Sequence, residues 1–265
     1  MMFSTRFVLL VATFLCSLST AAASGVIVPL YIFPGSSPGC SAWATLINTI
    51  SAHRSTSFFL IVNPASGPGA PNSQPDPTSY QGCIPKLKTF SNVKVVGYVP
   101  TGAGSRAAPA VNQDIATYAG WSAAFRPQGI FFDEVNPTPG LLSSYTAFAQ
   151  TARSSFGNGF VILNPGSNVG STSYFSIADQ IVTSENFFSA FSPNQLSFSA
   201  SSPASKQAVI LHDAPSTPPS GLISQLVGSD GIGSLYITDD TESPNPYDSL
   251  PSQFATFVTE VADNS

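Results

Sequence analysis

The sequence is short of charge. Asp, Glu, Lys and Arg together make up 9% of its 265 residues, against about 25% in ordinary globular chains. The nine Lys and Arg never cluster, and the net charge is −5. Phosphate backbones are gripped by grouped cations, so nucleic acid is set aside as a partner. Histidine is scarcer still, with only His53 and His212. A catalytic zinc draws on several His or Cys ligands, so no metal site is expected. No phosphate-cradling loop stands out either. Gly67-Pro68-Gly69 loses a donor at Pro68 and no lysine follows, and no cofactor is expected.

Long apolar runs are also missing, with one exception at the start. Phe7–Leu18 follows a short segment bearing one positive charge and precedes Ala21-Ala22-Ala23. This reads as a secretory signal peptide over residues 1–23, too short to span a bilayer as a helix. The mature domain, 24–265, is then expected to be soluble, exported and free of membrane. Of three cysteines, Cys16 leaves with the leader. Cys40 and Cys83 remain, an even count in an oxidising compartment, and a disulfide between them is expected. No Asn-x-Ser/Thr sequon with an acceptable middle residue occurs.

What is present has a regular beat. Short apolar runs at Val26–Tyr31, Phe58–Asn63, Val93–Val99, Gly129–Asp133, Phe160–Asn164, Gln180–Ser184, Gln207–His212 and Ser234–Thr238 read as buried strands. Amphipathic segments between them read as helices, clearest at Val111–Phe125 and Leu141–Phe156. Pro85 requires the helix near Tyr80–Phe90 to start late or be short. Asn186–Lys206 is poorly helical. Strand and connection alternating in about 240 residues predict an α/β chain, a single-domain (β/α)8 TIM barrel. A doubly wound open sheet is the competing arrangement. Ile61-Val62-Asn63-Pro64 is echoed at Ile162-Leu163-Asn164-Pro165, a repetition that suits a barrel of related halves.

Function in such barrels gathers at the C-terminal ends of the strands. Those ends offer Tyr31, Asn63, Tyr98, Asp133-Glu134, Asn164, Glu185, His212-Asp213 and Asp239-Asp240. This ring is rich in groups that hydrogen-bond sugar hydroxyls. Tyr31, Tyr98, Tyr236 and Trp121 are candidates to stack on pyranose faces. Glycoside hydrolysis needs two flanking carboxyl groups, one protonated and one ionised. Asp133, Glu134 and Glu185 are the candidates. Side chains alternate along a strand, so Asp133 and Glu134 share a direction only if the strand has already ended. Gly35-Ser36-Ser37-Pro38-Gly39 satisfies the G-x-S-x-G pattern of serine hydrolases, yet its prolines and Cys40 argue for an irregular loop rather than a nucleophile elbow.

Five blocks come in a fixed order: Val28-Pro29-Leu30-Tyr31; Ile61–Pro64 with Ser66–Gly69; Val96-Gly97-Tyr98-Val99 followed by Thr101 and Arg106; Asp114-Ile115 with Tyr118 and Trp121; and Ile130–Glu134. Together they resemble the spherulation-specific, or spherulin-like, family, grouped with glycoside hydrolase family 135. The resemblance implies a (β/α)8 barrel, secretion by a fungus or similar microbe into a cell wall or biofilm matrix, and cleavage of an α-1,4-linked galactosamine-containing exopolysaccharide of the galactosaminogalactan type. It implies an active centre of the pair Asp133-Glu134 and a later glutamate, Glu185 by strand order. By analogy Asp133 is the nucleophile, Glu185 the acid/base and Glu134 a support. Tyr31, Asn63, Tyr98, Arg106, Asn164, His212, Tyr236 and Asp239 are then the expected substrate-binding set. The loop Thr101–Arg106 departs from the family pattern, with small residues in place of an aromatic. The expectation is an endo-acting, monomeric glycoside hydrolase with a polysaccharide substrate. The alternative is a non-catalytic carbohydrate-binding or cell-wall protein on the same barrel.

Overall fold

The computed structural model describes residues 23–265. The expected leader, apart from Ala23, lies outside the described residues. Eight parallel strands close in sequence order: β1 (Gly25–Leu30), β2 (Phe58–Val62), β3 (Val93–Pro100), β4 (Gly129–Asp133), β5 (Phe160–Leu163), β6 (Gln180–Phe187), β7 (Gln207–His212) and β8 (Ser234–Ile237). The last strand pairs with the first, Gly25 opposite Ser234 and Val26 opposite Leu235. That closure excludes the open sheet. A strand covered on both faces loses the polar alternation of a one-sided sheet. Ile27, Leu60, Val95, Phe132, Val161 and Leu211 are accordingly all buried.

The helices outside the barrel are α1 (Ala44–Ala52), α2 (Tyr80–Lys88), α3 (Ala108–Ala119), α4 (Leu142–Ser155), two short turns α5 (Tyr174–Ile177) and α6 (Ser220–Ile223), and α7 (Phe254–Asn264). α2 is short, as its proline demands, but carries Pro85 inside rather than beginning after it. Between β6 and β7 the chain makes only single 3-10 turns. The disulfide Cys40–Cys83 is formed and ties the β1–α1 connection to α2. Closing a loop of 43 residues stabilises the fold by about 4 kcal/mol in the chain-entropy picture. No helix among the described residues is long and apolar enough to cross a membrane.

Two local features position the site. An added Cβ at Gly129 would lie 2.0 Å from the Phe160 carbonyl oxygen, so only glycine lets β4 start this close to β5. β6 runs three residues past its expected end, and its register against β7 shifts between Val182 and Ser184. Such a bulge re-aims the residues that follow it. Glu185, next along, stays within the strand and pairs with Ile210.

Candidate active site

Asp133 is the last residue of β4. Glu134 then takes a left-handed backbone, φ 55°, which ends the alternation and lets both carboxylates line one open cleft. That cleft has a volume of about 270 Å³ and is walled by Asp133, Glu134, Asn164, Pro165, Gly166 and Glu185. Glu134 is exposed and held from the β3–α3 loop. Its carboxylate accepts the Gly102 N–H (3.0 Å), and its backbone carbonyl accepts the Ala103 N–H (2.9 Å) and the Thr101 hydroxyl (2.8 Å).

The centre of the arrangement is Asn164, just past β5 and buried. Its Nδ2 donates to Asp133 Oδ1 (2.7 Å) and to Glu185 Oε2 (2.6 Å). Its own Oδ1 accepts the Gly166 N–H at 3.0 Å, which fixes the amide's orientation. Those two carboxyl oxygens can be no farther apart than these two bonds laid end to end. Glu185 Oε1 accepts the Tyr247 hydroxyl at 2.5 Å, and the Tyr98 hydroxyl lies beside Asp133 and favours its ionised form. Tyr31 stands edge-to-face between both phenols, 5.5 Å from the Tyr98 ring and 5.7 Å from that of Tyr247.

Burial pushes the Asp133 carboxyl up to about 6, and the negative charge of Glu185 adds to it. The Tyr98 hydroxyl, the Glu134 N–H and the Asn164 amide pull in the other direction, since each stabilises the ionised form. Tyr98 and Tyr247 are raised above the usual phenol range, first by burial and then by the carboxylates beside them. They remain donors at any working pH. A chain of neutral donors therefore surrounds two neighbouring acids, and the charge of Glu185 helps to raise the Asp133 carboxyl.

Of the residues expected to bind substrate, Tyr31, Tyr98 and Asn164 meet at this centre, and the others do not. Asn63 holds its own turn by accepting the Gly67 N–H at 2.8 Å. Arg106 is spent on Asp114 (2.6 Å) and the Pro100 carbonyl (2.9 Å). His212 is buried, bonded to Asp213 at 2.7 Å and covered edge-on by Phe187. Asp239 accepts both the N–H and the hydroxyl of Ser252. Tyr236 requires correction. It lies inside β8, wholly buried beside Tyr247 and Phe257, and has no face to offer a sugar. Trp121 is likewise packed away against Tyr118. Ser37 of the G-x-S-x-G stretch abuts Gly82 of α2, and His212 is engaged elsewhere.

Tyr247 is the residue that sequence reasoning missed. It belongs to the polar connection between β8 and α7, where no periodicity marks a side chain as inward. Its signal was a lone aromatic in Asn245-Pro246-Tyr247-Asp248. Among the described residues no group of three or more His, Cys, Asp or Glu is placed to hold a metal ion.

A family model described as Spherulation-specific family 4 matches residues 25–261. The chain belongs to this family. Its sequence is 34% identical over 235 residues to Spherulin-4 of Physarum polycephalum, covering 86% of this chain and 67% of that protein. Among solved structures, Sph3 of Aspergillus clavatus in complex with GalNAc is similar, with a TM-score of 0.78 and 29% identity over 91% of this chain and 98% of that one. The spherulin fold here and in Sph3 is thus the same barrel at nearly full length, and the Sph3 barrel takes a sugar.

Proposed function

We propose that this spherulin-like barrel is a secreted, endo-acting glycoside hydrolase of α-1,4-linked polysaccharides containing galactosamine or N-acetylgalactosamine, of the galactosaminogalactan type. The observation that carries the proposal is the bridging of Asp133 and Glu185 by a single nitrogen of Asn164. Retaining glycosidases hold their carboxyl groups about 5–5.5 Å apart, and inverting ones about 6.5–9.5 Å to admit a water. Two nearest oxygens sharing one donor fit the closer spacing, which favours a double displacement with retention. The likeness to Sph3, whose structure holds GalNAc, supports the substrate class.

In this reading Asp133 is the nucleophile. The Tyr98 hydroxyl, the Glu134 N–H and the Asn164 amide favour its ionised form, and a protonated Glu185 lifts the repulsion that raises it. Asp133 attacks the anomeric carbon as the glycosidic C–O bond breaks, and Glu185 gives its proton to the leaving oxygen. Glu185 then takes a proton from water, whose oxygen attacks the same carbon and releases Asp133. Asn164 spaces the two acids, Tyr247 orients Glu185, and Glu134 presents an exposed carboxylate to substrate hydroxyls or nitrogen. The leader-like start and the disulfide support an extracellular protein of a cell wall or biofilm matrix.

The test is reducing-end release from purified galactosaminogalactan by wild type, Asp133→Asn and Glu185→Gln. Turnover by wild type alone, with all three folded and binding polymer, is the expected result. Binding without turnover in wild type would replace the hydrolase by a carbohydrate-binding protein and make the Asp-Glu pair a recognition feature.

A further inference from the structure

Phe33 is the most exposed large apolar side chain among the described residues, at 56%. It lies three residues past the end of β1, on the same end of the barrel as the carboxylates. Its ring stands edge-to-face on Tyr80 of α2, 5.9 Å between centroids. Together with Pro64, Pro68 and Asp76 these rings wall a hollow of about 260 Å³ that is separate from the carboxylate cleft. Exposed apolar surface in a concave, polar-rimmed place marks an interaction site more often than isolated surface apolars do.

The hollow is framed rigidly. The Cys40–Cys83 disulfide joins the segment carrying Phe33 to the helix carrying Tyr80. The Ser37 N–H donates to the Thr78 carbonyl at 2.7 Å, and the Trp43 indole N–H donates to the Ile32 carbonyl, beside Phe33, at 3.0 Å. A platform held this way loses little freedom when covered, so its apolar area converts efficiently into binding. The path to the reacting centre is short. Phe33 is two residues from Tyr31, at most about 7 Å of chain, and Tyr31 packs on Tyr98, which stands beside Asp133.

We infer that the Phe33–Tyr80 hollow is a distal sugar subsite, which stacks a hexopyranose unit of the same polymer that Asp133 and Glu185 cut. The inference rests on the hydrolase reading and extends it to how the polymer is held. A galacto-configured ring gathers its C–H bonds on one face, because the 4-hydroxyl is axial. That face matches the exposed Phe33 ring, while Asp76 on the rim, whose Oδ1 already accepts the Thr78 N–H and hydroxyl at 2.8 Å each, offers its Oδ2 to a sugar hydroxyl or amino group. A subsite away from the scissile bond makes turnover depend on chain length.

The experiment measures kcat/KM on short and long α-1,4-N-acetylgalactosamine oligosaccharides, the long ones reaching from the cleavage point past Phe33. Phe33→Ala should lower the long-to-short ratio about tenfold, the scale of uncovering one apolar ring face. Phe33→Tyr should restore it. Phe198→Ala removes an exposed ring beside the N-terminal start of β7 and should leave the ratio unchanged. An equal loss on both lengths, or no loss, overturns the subsite while leaving the hydrolase standing. If wild type cuts neither length the hydrolase reading fails. Calorimetric binding of the same oligosaccharides then decides the platform: length-dependent weakening in Phe33→Ala supports it, and unchanged binding overturns it.

Discussion

At the N-terminal end of the barrel, cations are absorbed into the backbone. Arg153 donates to the Gly159 and Ile177 carbonyls and pairs with Asp179, which also accepts the Val161 N–H. Lys206 donates to the Phe175 and Ala178 carbonyls, and Lys88 to those of Ala123 and Arg126. At the C-terminal end, Asp133, Glu134 and Glu185 stand together, and none of them belongs to an ion pair of the described residues. Both ends hold partly buried charge. One end neutralises it by capping connections that would otherwise leave carbonyls unpaired. The other surrounds acids with neutral donors and leaves their charges in mutual conflict, an arrangement that costs stability and is the kind that the proposed proton transfer needs. The difference separates a frame from the candidate active site.

The largest effect should come from breaking the conflict itself. Asp133→Asn or Glu185→Gln should cut turnover by about 10²–10⁴-fold or more, measured as reducing-end release. The folded-state carboxyl of Asp133 is raised to about 6. Its contribution to stability is therefore fully present below the unfolded-chain value and lost as pH rises through about 6. Asp133→Asn, which cannot ionise, should melt at a higher temperature than wild type at neutral pH while being inactive. A lower melting temperature would show that the acid is not in conflict. As nucleophile, Asp133 must be ionised, so wild-type kcat/KM should climb through pH 6; a fall there would make it the acid instead.

Next comes the frame. Cys40→Ser with Cys83→Ser should cost about 4 kcal/mol, at about 2–4 °C of Tm per kcal/mol for a chain of this size. At the opposite end, Arg153→Ala should cost about 1–3 kcal/mol by orphaning its acceptors, with kcat of the folded enzyme unchanged by calorimetry and assay side by side. A loss of kcat there would blur the two ends. The smallest effect is expected at Tyr247→Phe. Removing one donor from Glu185 should lower kcat about tenfold or somewhat more, the scale of one hydrogen bond to a charged group, with Tm nearly unmoved.

Much of the mouth was legible in the sequence because the strands are covered on both faces. Their apolar runs stop where the chain reaches water, so the first polar residue beyond β5 is Asn164 and the last of β4 is Asp133. The same rule overreached at Asp239, and the resemblance at Arg106, both of which have local partners that no strand pattern encodes; Tyr236, read as a stacking aromatic, lies inside β8 with its ring buried. β6 ended later than its apolar run because a register shift carries polar residues on into the ladder. Tyr247 was invisible for a different reason. It reaches Glu185 across 62 positions of sequence, from a connection whose path only the closed barrel determines.

The most direct test of the central claim is the anomeric form of the first product, followed by NMR during cleavage of an α-linked galactosaminide oligosaccharide. Two carboxyl groups tied to one amide nitrogen predict retention, an α-configured reducing end that only later equilibrates. A β-configured product at the earliest times would place a water between Asp133 and Glu185 and contradict the double displacement.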